Sequence, residues 1–184
     1  MTNTKMQYKD KTLYVSTLDV GDNLQLSIVT NNTGLVLLEF NVTETQLFDI
    51  IAKNFGDVEI IKDPQHNQIY EKEIRDYFLG KLKEFTIPLD LVGTEFQKQV
   101  WKTLMEIPYG ETVSYKDIAV RINNPKGMRA VGMANNKNKI PVIVPCHRII
   151  GADGSLVGYG GGLHIKKRLL ELEGIKIKDH KVLK

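Results

Sequence analysis

The sequence predicts an α+β protein: an N-terminal mixed α/β domain over residues 1–90, then a mostly helical C-terminal domain over 91–184 with a winged helix-turn-helix-like unit. Three observations carry this. β-leaning apolar runs fill the first 40 residues, and helical spacing follows them. A break rich in turn residues lies near Pro88 to Gly93. Beyond it the apolar spacing is helical and the charge changes sign. Residues 1–93 hold 9 Lys+Arg against 14 Asp+Glu, a balance of −5, and residues 94–184 hold 16 against 8, a balance of +8.

The 184 residues are 42% hydrophobic and 26% charged, enough apolar mass to bury a real core. No apolar run approaches the roughly 18–20 residues of a membrane span. Met1 to Lys11 is polar and lacks the apolar stretch of a secretory signal. Cys146 is the one cysteine, so no internal disulfide can form, and a reducing, cytoplasmic location is expected. A basic half fits a polyanion partner, while a merely solubilising Lys-rich surface ranks slightly ahead on charge alone.

In chain order, residues 11–20 and 23–30 read as a strand pair turned at Gly21-Asp22, and 34–40 as a third β run. Residues 44–54 are helical through Leu47, Ile50 and Ile51. Residues 65–79 are helical through Ile69, Ile74, Tyr77 and Phe78, closed by Gly80. His66 stands without any cysteine in this half, so no zinc site is expected, and a scaffold role is favoured. Thr94-Glu95-Phe96-Gln97 is a capping-box pattern that opens a helix over 94–106. Ser114 caps a short helix with Ile118, Ala119 and Ile122 on its apolar face, and Asp117 in its first turn. Asn123-Asn124-Pro125 turns the chain into a third helix over 126–136. Two short helices across a tight turn form a helix-turn-helix, a frequent nucleic-acid reader, although many helical hairpins bind nothing. Gly127, Ala130, Gly132 and Ala134 leave the second helix small-faced, with only Lys126 and Arg129 basic. That face fits shallow minor-groove entry, or equally tight packing inside the domain.

Residues 140–144, Ile-Pro-Val-Ile-Val, read as a buried strand that delivers Pro145-Cys146-His147-Arg148. A lone cysteine is more often a buried small hydrophobe than a nucleophile. Here a histidine and an arginine adjoin it, and neighbouring positive charge lowers a thiol pKa, so nucleophilic chemistry stands at even odds. Sequence neighbours in a strand face opposite sides, so a bend or a bridging water must bring Cys146 and His147 together. The run Gly158-Tyr159-Gly160-Gly161-Gly162 matches neither nucleotide-binding glycine pattern. It is either a connector or bare backbone pressed on a planar ligand. A last helix spans 163–173, with Gly174 as its stop. Glu173 ends it where the helix dipole disfavours an anion, so it either holds a partner such as a histidine or is solvated.

Together these residues resemble the O6-alkylguanine-DNA alkyltransferases, the methylated-DNA–protein-cysteine methyltransferases. Ile143-Val144-Pro145-Cys146-His147-Arg148-Ile149-Ile150 is similar to their active-site signature. The likeness runs through Ile107-Pro108-Tyr109-Gly110-Glu111-Thr112-Val113-Ser114-Tyr115 and Asn124-Pro125-Lys126-Gly127-Met128-Arg129-Ala130-Val131-Gly132. It continues through Asn138-Lys139-Ile140-Pro141 and Gly158-Tyr159 to Leu169-Leu170-Glu171-Leu172-Glu173-Gly174, and covers residues 92–175. The N-terminal half is similar only in size and β-then-α order.

The resemblance implies a single-turnover DNA-repair methyltransferase. An alkyl group would pass irreversibly from O6 of guanine in duplex DNA to Cys146, with O4 of thymine a further candidate. It implies His147 as base toward the thiol through a water, Glu173 orienting His147, and Asn138 bracing the turn. Tyr115 would help rotate the nucleotide out and donate a proton toward the departing guanine. Arg129 would fill the stack, with Ser114, Lys126 and Ala130 on the DNA. Backbone carbonyls of Cys146 and Ile149 would accept from the guanine amine. Tyr159-Gly160 would close over the base and Met133 would line its pocket. Many relatives carry serine or alanine where Gly160 stands, which preserves the backbone donor. The chemistry agrees: the reacting carbon lies inside the stack, so the base must flip. Such a carbon demands a thiolate, and the thioether product has no leaving group. No cofactor, metal or membrane is implied. The partner is DNA bound through the minor groove with little sequence preference, and the protein is a monomer. A damage sensor without transfer is disfavoured by Cys146, and a Cys-His hydrolase by the helical pair and the +8 half.

Overall fold

A computed structural model describes residues 8–183. Of the polar stretch 1–11, the first seven residues lie outside the described ones. By contact the chain divides into two units. One holds the residues up to Asp76 together with Thr86–Asp90, and the other holds Tyr77–Phe85 and everything from Leu91. One division between the units falls between Asp90 and Leu91. The segment Tyr77–Phe85, read from sequence as part of the N-terminal domain, groups with the second unit.

The first unit is built on a four-stranded sheet of order β3-β2-β1-β4. β1 (Thr12–Asp19) and β2 (Gln25–Thr30) pair antiparallel, with Tyr14 opposite Thr30 and Asp19 opposite Gln25. Their turn uses Gly21, Asp22 and Asn23, all at positive φ, and Asp19 Oδ1 accepts the Gly21 N–H at 2.7 Å. β3 (Leu35–Phe40) adds to β2. Leu35, Val36, Leu37 and Leu38 are buried in succession, so both faces of that strand are covered. Helix α1 (Glu44–Phe55) starts at a capping box between Thr43 and Gln46 and buries Leu47, Ile51 and Phe55. It leads to β4 (Glu59–Lys62), parallel to β1, a strand the sequence reading misses because its four residues carry charge at both ends. Helix α2 (Gln68–Phe78) follows, and Gly80 ends it at φ 70°.

In the second unit, α3 (Glu95–Met105) begins at the expected capping box, with Thr94 accepting from Gln97 N–H and Gln97 returning the bond. Its buried Trp101 donates Nε1–H to Ala134 O at 2.9 Å, which ties α3 to α5. A Cβ on Gly93 would lie 2.5 Å from the Trp101 ring, so the chain passes there only as glycine. β5 (Val113–Ser114) runs parallel to β6 (Ile149–Ile150). It brings the start of α4 (Tyr115–Arg121) beside the segment that follows Cys146. Helix α5 (Met128–Asn135) packs against α3 and α4 across a turn closed by Asn124 N–H to Ala119 O at 2.8 Å. Helix α6 (Leu163–Leu172) and a short hairpin, β7 (Ile177–Lys178) with β8 (Lys181–Val182), complete the unit.

The strand expected over 140–144 is a turn instead. Val144 N–H bonds Ile140 O at 2.9 Å, and Val142 sits at φ 76°, a conformation a β-branched residue rarely adopts. Pro141 cannot donate to a ladder. The Asn138 side chain stands in for one, donating to Val144 O at 2.9 Å and accepting from Ile140 N–H at 3.0 Å. Ile140, Val142, Ile143 and Val144 are still buried. The apolar run was a correct sign of burial and a wrong sign of extended backbone.

Candidate active site

The residues after that turn do not stay extended. Cys146–Arg148 make one turn of 3-10 helix, entered from Pro145. This is the bend that lets neighbours in sequence share one site. Three groups of contacts converge on it.

The first is the thiol. Cys146 is 6% exposed, and its Sγ accepts from Asn138 Nδ2 at 3.1 Å. Burial pushes its pKa up to about 11, against hydrogen bonds from Asn138 and Tyr159 and the charge of Lys166. At neutral pH the group is therefore a thiol. Burial outweighs the lowering expected from adjacent positive charge, which here comes from Lys166, while Arg148 is paired with Glu173.

The second is the carboxylate. Glu173 stands at the C-terminal end of α6, where an anion is disfavoured, and is 5% exposed. It is held by donors. Arg148 Nε reaches Oε2 and Arg148 Nη2 reaches Oε1, both at 2.9 Å. His147 Nε2 meets Oε1 at 2.8 Å, the Tyr77 hydroxyl donates to Oε1 at 2.6 Å, and Gly110 N–H donates to Oε2 at 3.1 Å. Burial raises the Glu173 pKa, but the hydrogen bonds from His147 and Arg148 outweigh it and hold the carboxyl at about 2. The remaining guanidinium arm, Arg148 Nη1, donates to Ile107 O at 2.5 Å. Tyr109 OH bonds Leu172 O at 2.8 Å beside it.

The third is the imidazole between them. His147 is fully buried, and burial pushes its pKa below the usual value despite Glu173. An ionised carboxylate can only accept, so Nε2 carries the proton and Nδ1 holds a lone pair. Nδ1 is buried with no hydrogen-bond partner among the described residues. The resting site thus holds a neutral thiol, a neutral imidazole with one bare nitrogen, and a carboxylate–guanidinium pair.

Lys166, on α6, is 1% exposed and donates Nζ–H to Ile149 O and, at 2.9 Å, to Val157 O. Burial lowers its pKa to about 8, opposed by the Cys146 thiolate. It links β6 to the segment that leads into Tyr159. The carbonyls of Cys146 and Ile149 each already accept one bond, from Ile149 N–H and Lys166. A carbonyl has a second lone pair to offer.

Beside this cluster lies an open groove of about 600 Å³ that brings Ser114, Tyr115, Arg129 and Met133 together. Tyr115 is the first residue of α4, and its ring lies over Gly132 of α5. Burial, then the charge of Cys146, raise its pKa, while a hydrogen bond with Asn135 lowers it. Ser114 is the N-cap: its Oγ donates to Asp117 Oδ2 at 2.7 Å and accepts from Asp117 N–H. Arg129, Lys126 and Ala130 are exposed. Met133, expected against the base, is 66% exposed in the groove, and the inward residue of α5 near Tyr115 is Asn135. Gly160 is exposed, and a Cβ there would meet nothing within 4 Å.

Sequence reasoning missed Arg148, Lys166, Asn135 and Tyr77 as members of this cluster. Glu173 at the wrong end of a helix was the signal for a cationic partner, and Arg148 adjoins the histidine. Nothing in the local pattern marked Tyr77. Among the described residues no group of three or more metal-ligating side chains occurs, and no helix is long and apolar enough to cross a membrane.

Residues 95–175 match the family model described as 6-O-methylguanine DNA methyltransferase, DNA binding domain. A methylated-DNA–protein-cysteine methyltransferase of Methanosarcina barkeri is 47% identical over 150 residues, 79% of this chain and 94% of its own length. The inducible counterpart of Bacillus subtilis is 43% identical over 169 residues, 91% of this chain and 94% of its own. A crystal structure of Mycobacterium tuberculosis OGT in complex with DNA is 40% identical, with a TM-score of 0.73, covering 88% of this chain and 92% of that one.

Proposed function

The chain belongs to the methylated-DNA–protein-cysteine methyltransferase family, and from its site we propose that Cys146 removes an alkyl group from O6 of guanine in duplex DNA, once per molecule. The observation that carries this is the 3-10 turn. It holds a buried thiol next to an imidazole whose only bare nitrogen is Nδ1, with the other nitrogen fixed on Glu173.

In the proposed reaction His147 Nδ1 takes the thiol proton through a water. The Sγ lone pair attacks the alkyl carbon, the C–O6 bond breaks, and its electron pair leaves on guanine. Tyr115 supplies a proton toward the departing base. The products are guanine and a thioether on Cys146. Such a sulfur has no leaving group for water to displace, which supports single use. O4 of thymine offers the same ether-like carbon and is a second candidate substrate.

The reacting atom is inaccessible in a duplex, so the base must leave the stack. The groove supports entry from the minor-groove side: Tyr115 and Arg129 share it, and the exposed Arg129 is the side chain to fill the gap. In this reading Ser114 and the exposed Lys126 meet the DNA backbone, and Ala130 allows close approach. Tyr159-Gly160 covers the base. Action as a monomer fits one chain carrying every group the reaction uses, and a reducing cytoplasm fits its single thiol.

The test is intact-mass analysis after mixing with an O6-methylguanine duplex. The expected result is one methylene mass added at Cys146, and none on Cys146→Ser, which still binds DNA. Transfer by Cys146→Ser, or no mass gain in the native chain, overturns the reading.

A further inference from the structure

The Tyr77 hydroxyl sits inside the cluster that the reaction uses, although it lies 69 residues ahead of the thiol in sequence. Tyr77 lies in the last turn of α2 and is fully buried. Its ring packs against Phe78, Phe85 and Tyr109, with centroids 5.5, 5.2 and 6.1 Å away. Phenylalanine would fill that space as well, so packing does not account for the hydroxyl. The hydroxyl donates to Glu173 Oε1 at 2.6 Å and lies 3.5 Å from His147 Nε2. Since Nε2 carries the imidazole proton, the tyrosine bonds to the carboxylate and not to the histidine. Tyr77, His147 and Arg148 therefore share one oxygen, and the first two differ in acidity.

We propose that Tyr77 is a positioning residue of the Cys146-His147-Glu173 relay, and that its hydroxyl sets the basicity of His147 by competing for Glu173 Oε1. The inference rests on the reading of His147 as base toward Cys146. A carboxylate oxygen that accepts a strong second donor has less charge to offer an imidazolium. Tyr77 thus keeps His147 a weaker base than Glu173 alone would make it. It remains a donor throughout the working range, because burial and then the Glu173 charge raise its own pKa well above the usual value. The other charged or titratable groups near His147 and Glu173 are Arg148 from the same turn, Lys166 from α6, Tyr109, and Cys146 itself. Lys166, at about 8, shapes the alkaline side. The acid limb is the one to read.

The test is the pH dependence of alkyl transfer to Cys146 from an O6-methylguanine duplex, for the native chain and Tyr77→Phe. NMR titration of the His147 ring without DNA accompanies it. Tyr77→Phe should move the acid midpoint and the His147 midpoint upward by about half a unit, roughly threefold in proton affinity. Transfer slows on the acid limb, around and below the native midpoint, and at pH 8 it does not. A merely structural role would lower the melting temperature and leave both midpoints in place. An unmoved or lowered midpoint overturns the proposal. If Tyr77→Phe does not fold, 3-fluorotyrosine placed at position 77 keeps the shape and donates more strongly, and must move the midpoints down. Should the native chain take no alkyl group, the parent reading fails, and the His147 titration still decides the role of Tyr77.

Discussion

Glu173→Gln isolates the electrostatic centre of the second unit with little change of shape. The native carboxylate receives donors from Arg148, His147, Tyr77 and Gly110. Glutamine offers one acceptor oxygen and turns an NH₂ group toward those donors. Arg148, 6% exposed, is left with a buried charge and no anion. Breaking a buried pair by removing one partner costs about 3–5 kcal/mol, a large share of a typical domain's 5–15 kcal/mol. The pH dependence gives a second magnitude for the same contacts. Glu173 is held at about 2 from an ordinary 4.5. At 1.36 kcal/mol per unit, that depression corresponds to about 3 kcal/mol of stability.

The sign follows from which state binds the proton. A depressed carboxyl favours the folded state above pH 4.5, where both states are ionised. The unfolded chain gains the proton first as the pH falls, so the contribution declines from about 4.5 and is gone below about 2. Glutamine cannot titrate. Urea unfolding followed through Trp101, the single tryptophan and 1% exposed, reads this unit. At pH 7 Glu173→Gln should be less stable by about 3–5 kcal/mol. Between pH 4.5 and pH 2.5 the gap to the native chain should narrow by most of the linkage term. A gap that stays constant over that range refutes the argument that donor-stabilised ionisation holds the site together.

Arg129→Ala should slow transfer from an O6-methylguanine duplex at least about tenfold more than transfer from free O6-benzylguanine, since unstacking costs a few kcal/mol only in the duplex; equal losses would mark a structural defect. DNA affinity of Cys146→Ser, titrated with salt on two unmodified duplexes of unrelated sequence, should fall with a log–log slope on the order of −2 to −5 and differ little between them. A flat response or strong discrimination counts against phosphate-led binding. Asn138→Ala removes a donor to Val144 O, an acceptor for Ile140 N–H and a donor to the sulfur. It should cost about 1–3 kcal/mol in urea unfolding and raise the thiol midpoint measured by alkylation with iodoacetamide; an unchanged midpoint would mean that the amide serves the turn alone.

Much of this molecule was legible from sequence because its signals are local. The Thr94/Gln97 and Ser114/Asp117 boxes start helices where their spacing says they should, and 3.6-residue spacing set α3 and α6 to within a residue or two. β4 escaped because a short parallel edge strand leaves no alternation to see. The 140–144 segment misled because a buried turn and a buried strand are equally apolar, and only the Asn138 bonds and the Val142 backbone tell them apart. At the site, the Cys146-His147-Glu173 grouping could be anticipated, since a motif and a misplaced acid point to each other. Tyr77 could not. Its contact depends on where the end of α2 comes to rest, which no local pattern encodes.

Burial and reactivity oppose each other at Cys146, and the arrangement around it settles the contest. With the thiol near 11, unassisted ionisation at pH 7 costs about 5 kcal/mol. At rest the charges of Glu173 and Arg148 offset each other, and the thiol and imidazole are neutral. In the proposed reaction a proton passes from sulfur to His147, and two charges appear where there were none. Each has a partner already fixed in place. The thiolate meets the Asn138 amide and the Lys166 charge, and the imidazolium meets Glu173. No side chain has to move to stabilise the pair, so the reorganisation that water would demand is avoided. Tyr77 works against the imidazolium by drawing on the same carboxylate oxygen. The proposed relay is therefore biased toward the neutral thiol until an alkylated base is seated, which suits the proposed single use.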